Sequence, residues 1–139
     1  MTPPLILHSE DIANTPSECF PSSVTGGKVT WKTLMSEPKT STNTFTSGIA
    51  TCEPGDGHLK LHRHKQAELY HVTEGRGIVY IDGKEHEVAK GSVVFIPGDA
   101  EHGIRNTGEE NLVWLYVFAT DGFGDVVYRF SEEQPKAKL

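Results

Sequence analysis

The chain has only two cysteines among its 139 residues, Cys19 and Cys52. Two are too few for a disulfide framework, their spacing fits no zinc motif, and the sequence leaves open whether they pair. The longest hydrophobic run, Leu112 to Ala119, is far shorter than the roughly 20 residues that cross a membrane as a helix. The N-terminus also lacks the basic and apolar regions of a signal peptide. We therefore expect a cytoplasmic protein that contacts no membrane.

Basic residues are scarce as well. The chain has 13 Lys and Arg against 19 Asp and Glu, a formal net charge of −6, and contains no basic run. A protein that binds nucleic acid electrostatically needs the opposite sign, so this balance argues against that class. A charged fraction of 23% and a hydrophobic fraction of 36% are typical of a folded globular protein, and the length suits one domain.

Helical periodicity is missing throughout the chain. Instead, short stretches rich in β-branched and aromatic residues alternate with turn residues, and Asp82-Gly83 is a strong signal for a two-residue hairpin. The predicted strands are 29–34, 44–52, 68–73, 78–81, 84–88, 92–96, 112–119 and 126–130. Many short strands with frequent turns predict an all-β, jelly-roll β-barrel in a single domain.

The composition changes near both ends of this barrel. Residues 1–28 are dense in Pro, Ser, Thr and Gly and predict an irregular N-terminal arm with one helical turn near Asp11. Residues 29–130 form the predicted barrel, and the charged residues 131–139 predict a frayed tail. Six aromatic side chains are expected to fill the barrel interior, namely Trp31, Phe45, Phe95, Trp114, Tyr116 and Phe118.

The seven histidines are the most informative feature of the sequence. His62, His64 and Glu68 are separated by two and four residues, so on one strand all three would face the same interior. His102, after the Pro97-Gly98 turn, offers a fourth ligand. A lone His-x-His pair is more simply a solvated strand or a core histidine. Three imidazoles and a carboxylate together suit Fe, Mn, Ni, Co, Cu or Zn better than Ca or Mg.

Two blocks of glycine, proline and histidine surround these residues. The first block consists of Gly57, His62, His64, Glu68 and Gly75, and the second of Gly91, Pro97, His102 and Asn106. On these residues the chain resembles the cupin superfamily, whose members are small jelly-roll β-barrels with a metal inside. Two positions depart from the cupin pattern. Gly57 lies one residue closer to His62 than in the usual cupin motif, and Asp99 stands where a glycine is usual. Asp tolerates a positive φ, so Asp99 can still form that turn.

The resemblance implies a ligand set and an assembly. It implies that His62, His64, Glu68 and His102 bind one divalent transition metal ion, with iron expected first and Mn, Ni, Zn, Co or Cu as alternatives. It also implies a homodimer, formed through β-strands or through exchange of the N-terminal arm. The sequence itself shows no exposed apolar stripe from which an interface could be derived.

Tyr70 lies two residues beyond Glu68, so we expect its phenol to face the interior near the metal. It is a candidate general base or acid, although an interior tyrosine is more often only packing. A weaker likeness to the small cupins that cleave dimethylsulfoniopropionate implies the base role. By resemblance to cupin dioxygenases, Glu68 could serve as the base instead.

Three functions therefore remain open. We expect an O2-dependent oxygenase acting on a small organic substrate. The alternative is a redox-neutral, metal-dependent lyase, isomerase or decarboxylase in which Tyr70 removes a proton. The third hypothesis is a non-enzymatic module that binds a small molecule or a metal, because one fold can host many functions.

Overall fold

The computed structural model describes residues 1–131. One short helix, α1 (Ser9–Ala13), precedes the strands, and a single 3-10 turn, Phe123–Asp125, follows β10. The strands in chain order are β1 (Gly27–Lys28), β2 (Thr30–Met35), β3 (Thr46–Cys52), β4 (His58–Arg63), β5 (Glu68–Glu74), β6 (Arg76–Ile81), β7 (Lys84–Ala89), β8 (Val93–Ile96), β9 (His102–Asn106), β10 (Leu112–Phe118) and β11 (Arg129–Phe130).

The strands form two antiparallel sheets. The first sheet has the order β2-β3-β10-β5-β8, and the second has the order β1-β4-β9-β6-β7, with β11 added against β4. Consecutive strands alternate between the sheets at several points, as in a jelly roll. The predicted all-β fold is therefore confirmed. Within residues 1–131, no helix is long and apolar enough to span a membrane.

The alternation of burial along β10 shows how the sequence forms the core. Leu112, Trp114, Tyr116 and Phe118 are buried, and the residues between them are partly exposed. β10 pairs with β3 on one side and with β5 on the other, so its buried side chains lie at the centre of the interior. Gly48 of β3 lies opposite Tyr116, and a Cβ at this glycine would collide with the Tyr116 hydroxyl. The missing side chain therefore makes room for the tyrosine ring.

Two turns follow the prediction closely. Asp82 and Gly83 have φ angles of 47° and 81°, as the hairpin between β6 and β7 requires. Asp99, the residue that replaces a glycine, has a φ of 63°. Its backbone carbonyl accepts a hydrogen bond from Arg63, and its carboxylate accepts one from Arg129. Asp99 therefore forms the turn and also anchors the C-terminal strand.

Other boundaries differ from the sequence prediction. The strand predicted at 126–130 is reduced to Arg129–Phe130; the amide of Val126 still bonds the Phe123 carbonyl of the 3-10 turn instead of a neighbouring strand. The carboxylate of Asp125 holds that turn by accepting hydrogen bonds from the Thr120 hydroxyl and the Gly122 amide. The helical turn predicted near Asp11 is present as α1. The frayed tail predicted for 131–139 falls almost wholly outside the described residues.

The prediction of six interior aromatic residues was wrong for two of them. Phe95 is 67% exposed and Phe45 is 58% exposed. Phe95 pairs with Leu69 on the outer face of the first sheet, since its neighbours Val94 and Ile96 take the inward positions of β8. Apolar composition alone did not reveal which face of this short strand is buried.

Candidate metal centre

Three histidine side chains converge between the two sheets. His62 of β4 and His102 of β9 are direct cross-strand partners, and His64 follows β4 immediately. The ligand nitrogens of the three rings lie within 4.8 Å of one another, and all three residues are buried. This spacing is small enough for one ion to reach all three nitrogens.

Backbone carbonyl groups orient the three rings. Each Nδ1 lies within hydrogen-bond distance of a carbonyl oxygen: that of Lys60 for His62 (2.7 Å), of Gln66 for His64 (3.0 Å) and of Ala100 for His102 (2.9 Å). A carbonyl oxygen only accepts hydrogen bonds, so Nδ1 must carry the proton. Each neutral ring then presents the lone pair of Nε2, and this backbone support is typical of metal-binding histidines.

Glu68, the first residue of β5, completes the group. Its Oε1 atom lies 3.2 Å from Nε2 of His64 and 3.2 Å from Nε2 of His102, and its side chain is buried. In the neutral tautomer with the proton on Nδ1, the two Nε2 lone pairs and the carboxylate repel one another unless a positive charge lies between them. Nε2 of His62 is also buried without a hydrogen-bond partner. These donors fit a cation, so the histidines can hold a metal ion.

The route by which these residues meet differs from the prediction. His64 and Glu68 do not lie on one strand, because β4 ends at Arg63 and β5 begins at Glu68. The two strands belong to opposite sheets, and residues 64–67 connect them. The prediction that these residues share one strand was therefore wrong, although the residues do converge. The connection between the sheets brings Glu68 against the histidines.

Burial favours the neutral, metal-binding form of His62. Loss of hydration lowers its pKa well below the ordinary value for histidine, and the neighbouring His102 and His64 lower it further. A neutral imidazole is the form that binds a metal ion. The neutral ring of His62 can therefore bind a metal cation, whereas a protonated ring would repel it.

A small cavity of about 20 Å³ lies beside Glu68. Besides Glu68 and small aliphatic residues, it is lined by aromatic side chains: Phe20, Trp31, Tyr70, Trp114, Tyr116, Phe123 and Tyr128. Trp31 stacks on Phe123, with ring centroids 6.2 Å apart and an interplanar angle of 13°. Among the described residues, no lysine or arginine lines this cavity. Its walls therefore combine one carboxylate with π-faces.

Tyr70 faces the interior, as predicted. Its ring centroid lies 6.5 Å from that of His102, and the side chain is fully buried. Burial raises the pKa of the phenol well above its ordinary value, and the negative charge of Glu68 raises it further. Without a cation beside Glu68, Tyr70 is therefore protonated.

Tyr128 is a site residue that the sequence analysis missed. Its ring stacks on His62 with centroids 4.7 Å apart, and it lies 5.6 Å from the ring of His64. The sequence placed Tyr128 in a regular strand, and no motif marks it. The 3-10 turn before it and the pairing of β11 with β4, in which Phe130 lies opposite His62, bring this segment over the histidines. The sequence signal that could have marked Tyr128 is its position, as an aromatic residue, a few places after the turn residues Asp121-Gly122.

Comparison with known proteins agrees with this geometry. The family model described as "Cupin domain" matches residues 48–118, which include all four predicted ligands. The chain belongs to the cupin family. The match begins within β3 and ends with β10, so residues 1–47 and the segment that carries Tyr128 lie outside it.

Individual proteins add detail to the family assignment. This cupin is 42% identical over 125 residues to the dimethylsulfoniopropionate lyase DddW of Ruegeria pomeroyi, covering 89% of this chain and 80% of that protein. A predicted oxalate decarboxylase from Thermotoga maritima superposes with a TM-score of 0.69 and 27% identity, covering 84% of this chain and 99% of the other. The polyketide cyclase RemF of Streptomyces resistomycificus gives a TM-score of 0.71 over 91% of this chain and 86% of its own, at 20% identity, which supports the fold alone.

Proposed function

We propose that this cupin is a metal-dependent lyase that eliminates dimethyl sulfide from a small carboxylate carrying a sulfonium group, with dimethylsulfoniopropionate as its substrate. The observation that carries the proposal is the aromatic cavity beside the histidine cluster, which includes the phenol of Tyr70. The 42% identity to a lyase of this type across most of the chain supports the same reaction class.

The cavity walls suit a sulfonium group. A cation gains about 0.5–2 kcal/mol when it lies over an aromatic face, with the larger values in desolvated sites. Trp31 and Trp114 supply the faces with the greatest attraction, and no described lysine or arginine in the wall would repel a cation. The aromatic lining therefore favours a substrate that carries a sulfonium cation with methyl substituents.

The histidine cluster would hold the metal through Nε2 of His62, His64 and His102 and the carboxylate of Glu68. A divalent cation bound there would attract the substrate carboxylate and offset the charge of Glu68, which lowers the pKa of Tyr70. We expect iron, and manganese, nickel, zinc, cobalt and copper suit the same donors.

Tyr70 performs the proton transfer in this proposal. Its phenolate oxygen accepts a proton from the carbon next to the substrate carboxylate. The electron pair of that C–H bond forms the carbon–carbon double bond, while the C–S bond breaks and sulfur leaves with its bonding pair. The products are acrylate and dimethyl sulfide, and Tyr70 then releases the proton to solvent. Atoms and charge balance without an oxidant, so the reaction needs no O2.

The cavity is too small to admit the substrate unless some of its lining side chains move. A volume of about 20 Å³ holds little more than one water molecule, which is less than the substrate needs. Phe20 of the N-terminal arm and Phe123 of the 3-10 turn line the cavity from outside the strands. We propose that these two side chains move aside on binding and close again to exclude water.

Oxygen dependence separates this proposal from the oxygenase expected from the sequence, which no feature of the site specifically favours. Protein loaded with iron would be incubated with dimethylsulfoniopropionate in air and under argon, and acrylate and dimethyl sulfide quantified. Equal rates of both products in the two atmospheres are expected. No products in either atmosphere, or turnover only in air with consumption of O2, would overturn the lyase proposal.

Competitive binding tests the cation site directly. The ammonium analogue of the substrate and its neutral tert-butyl counterpart have nearly the same shape and carry the same carboxylate. We expect the ammonium compound to inhibit at an approximately 5- to 30-fold lower concentration, the equivalent of about 1–2 kcal/mol. Equal inhibition would show that the aromatic walls do not recognise charge.

A further inference from the structure

One buried hydroxyl in the cavity wall takes no part in the proposed proton transfer. Tyr116 of β10 is 4% exposed and lines the cavity beside Tyr70, its cross-strand neighbour on β5. Among residues 1–131, its hydroxyl is buried without a hydrogen-bond partner of ordinary geometry. An unpaired hydroxyl is unfavourable in a protein interior, and a native protein that keeps one commonly binds a water, an ion or a ligand there. We therefore expect a ligand atom to lie against this oxygen.

The hydroxyl of Tyr116 reaches across β3 toward β2. Tyr116, Gly48 and Thr33 are successive cross-strand partners on the inner side of the first sheet. A Cβ at Gly48 would collide with the Tyr116 hydroxyl, so the oxygen lies directly over this glycine. The phenol therefore occupies the space between β10 and Thr33 that a side chain at Gly48 would fill.

The N-terminal arm supplies a carboxylate at the end of this row. Glu18 and Trp31 exchange two backbone hydrogen bonds, of 2.6 and 3.0 Å, so this part of the arm lies along β2. The Glu18 carboxylate accepts hydrogen bonds from the backbone amide of Thr33, at 3.2 Å, and from the Thr33 hydroxyl. Because Thr33 donates its hydroxyl hydrogen to Glu18, the lone pairs of its oxygen remain available to the hydrogen of the Tyr116 hydroxyl.

The electrostatic surroundings of the Tyr116 oxygen are negative. Burial raises the pKa of the phenol above its ordinary value, the Thr33 hydroxyl lowers it, and the negative charges of Glu18 and Glu68 raise it further. Carboxylates that disfavour a phenolate favour a cation at the same place. A metal ion at the histidines would offset Glu68, whereas Glu18 belongs to the arm. The ammonium of Lys39 binds the backbone carbonyl of Thr33 at 2.7 Å and does not line the cavity.

We propose, resting on the lyase function proposed above, that the Tyr116 hydroxyl contacts the sulfonium end of the substrate and that Thr33 and Glu18 orient it. The phenol hydrogen points to Thr33, and the oxygen presents its lone pairs to the cavity. Methyl groups on a sulfonium carry part of its positive charge, so their C–H bonds contact an oxygen lone pair favourably. Tyr116 is thus a specificity-determining residue for the cation, and Thr33 and Glu18 are positioning residues that act through it.

Isothermal titration calorimetry of the iron-loaded full chain under argon tests the role of Tyr116. The probes are the trimethylammonium analogue of the substrate and its neutral tert-butyl counterpart, and the ratio of their dissociation constants measures the preference for a cation. Tyr116→Phe removes only the hydroxyl, so this preference should fall about threefold or more while the neutral probe binds no more weakly. Tyr80→Phe is the matched control, because the Tyr80 hydroxyl bonds Arg105 outside the cavity.

Variants of Thr33 and Glu18 test the orientation of the hydroxyl. Thr33→Val should lower the cation preference about twofold or more, and Thr33→Ser, which keeps a hydroxyl, should retain it. Glu18→Gln keeps an oxygen acceptor for Thr33 but loses the charge. Its cation preference should therefore fall below that of the wild type at low salt, and the difference should shrink as salt is added. Glu10→Gln is the control, since it removes the same charge from an exposed position of the same arm.

Several outcomes would overturn the proposal. They are a wild type that binds both probes equally or binds neither, an unchanged preference in Tyr116→Phe, and equal weakening of both probes in that variant. If Tyr116→Phe does not fold, as judged by circular dichroism, Thr33→Val decides against Thr33→Ser in the same way. Calorimetry needs no turnover, so the two proposals fail separately. A preference that depends on Tyr116 in a protein that forms no acrylate would refute the lyase and retain the cation contact.

Discussion

The ring of Tyr128 stacks on the imidazole of His62, with centroids 4.7 Å apart and an interplanar angle of 15°. The C-terminal segment therefore covers the histidine cluster from one side. Arg129, the next residue, holds this segment in place through its ion pair with Asp99, at 2.6 Å. The histidine cluster is thus closed by residues that lie outside the matched family region.

Replacing Tyr128 tests this covering role. Tyr128→Ala should lower the free energy of unfolding by about 2–4 kcal/mol, because the ring packs on His62 and on Phe130. Tyr128→Phe keeps the ring and should lose less than about 1 kcal/mol. Urea unfolding followed by circular dichroism measures both. Equal losses in the two variants would show that the hydroxyl, and not the stacked ring, matters for stability.

The three histidines should be individually required for metal binding. His62→Ala and His102→Ala each remove one of three nitrogens, so we expect at least a 100-fold loss of metal affinity. His86→Ala is the matched control, since His86 is exposed on β7. Elemental analysis after purification without chelator measures bound metal. Full metal content in His62→Ala would contradict the ligand assignment.

Tyr70→Phe separates metal binding from proton transfer. The substitution removes only the hydroxyl, so metal content should stay the same, while kcat for the elimination should fall by about 10²- to 10⁴-fold. Tyr80→Phe is the control, because Tyr80 bonds Arg105 on the outer side of the second sheet. Turnover of Tyr70→Phe at the rate of the wild type would exclude the phenol as the base.

The two cysteines should differ sharply in reactivity. Both are free thiols, with Cys19 exposed and Cys52 fully buried. Burial raises the pKa of Cys52 to about 12, so its thiol stays protonated at pH 8. A thiol-reactive dye should label one cysteine per native chain, and Cys19→Ser should abolish this labelling. Rapid labelling of two thiols in the native protein would contradict the burial of Cys52.

Cys52 also predicts a direction for the pH dependence of stability. The folded thiol has the higher pKa, so above about pH 9 the unfolded chain loses its proton first. The free energy of unfolding should therefore fall as the pH rises from 9 toward 12, by at most about 1.4 kcal/mol per pH unit from this group. Cys52→Ala should show a shallower decline over that range in urea unfolding.

Local patterns in the sequence were sufficient to predict much of the fold and the histidine cluster. The hairpin at Asp82-Gly83 and the alternation in β10 follow from backbone and side-chain preferences that act over a few residues. The spacing of His62, His64 and Glu68 identified residues that converge, but these residues do not share one strand as the spacing implied. The sequence of residues 64–67 is compatible with a continuous strand and with a connection between two sheets, so it does not distinguish the two.

Long-range packing could not be predicted in the same way. Tyr128 reaches His62 because the preceding 3-10 turn, which hydrogen bonds to Asp125 hold, redirects the chain and because β11 then pairs with β4. Phe95 faces outward because of its register against Leu69, and an apolar run carries no record of register. The positions of Tyr128 and Phe95 were both mispredicted because they depend on tertiary contacts, which composition and periodicity do not reveal.

The most direct test of the account is a metal titration of the elimination reaction. Metal-free protein would receive iron(II) in steps under argon, with acrylate formation from dimethylsulfoniopropionate measured at each step. We predict no acrylate without metal, a linear rise with added iron, and saturation at one ion per chain. Acrylate formation by the metal-free protein, or none at one bound ion per chain, would contradict a metal-dependent lyase.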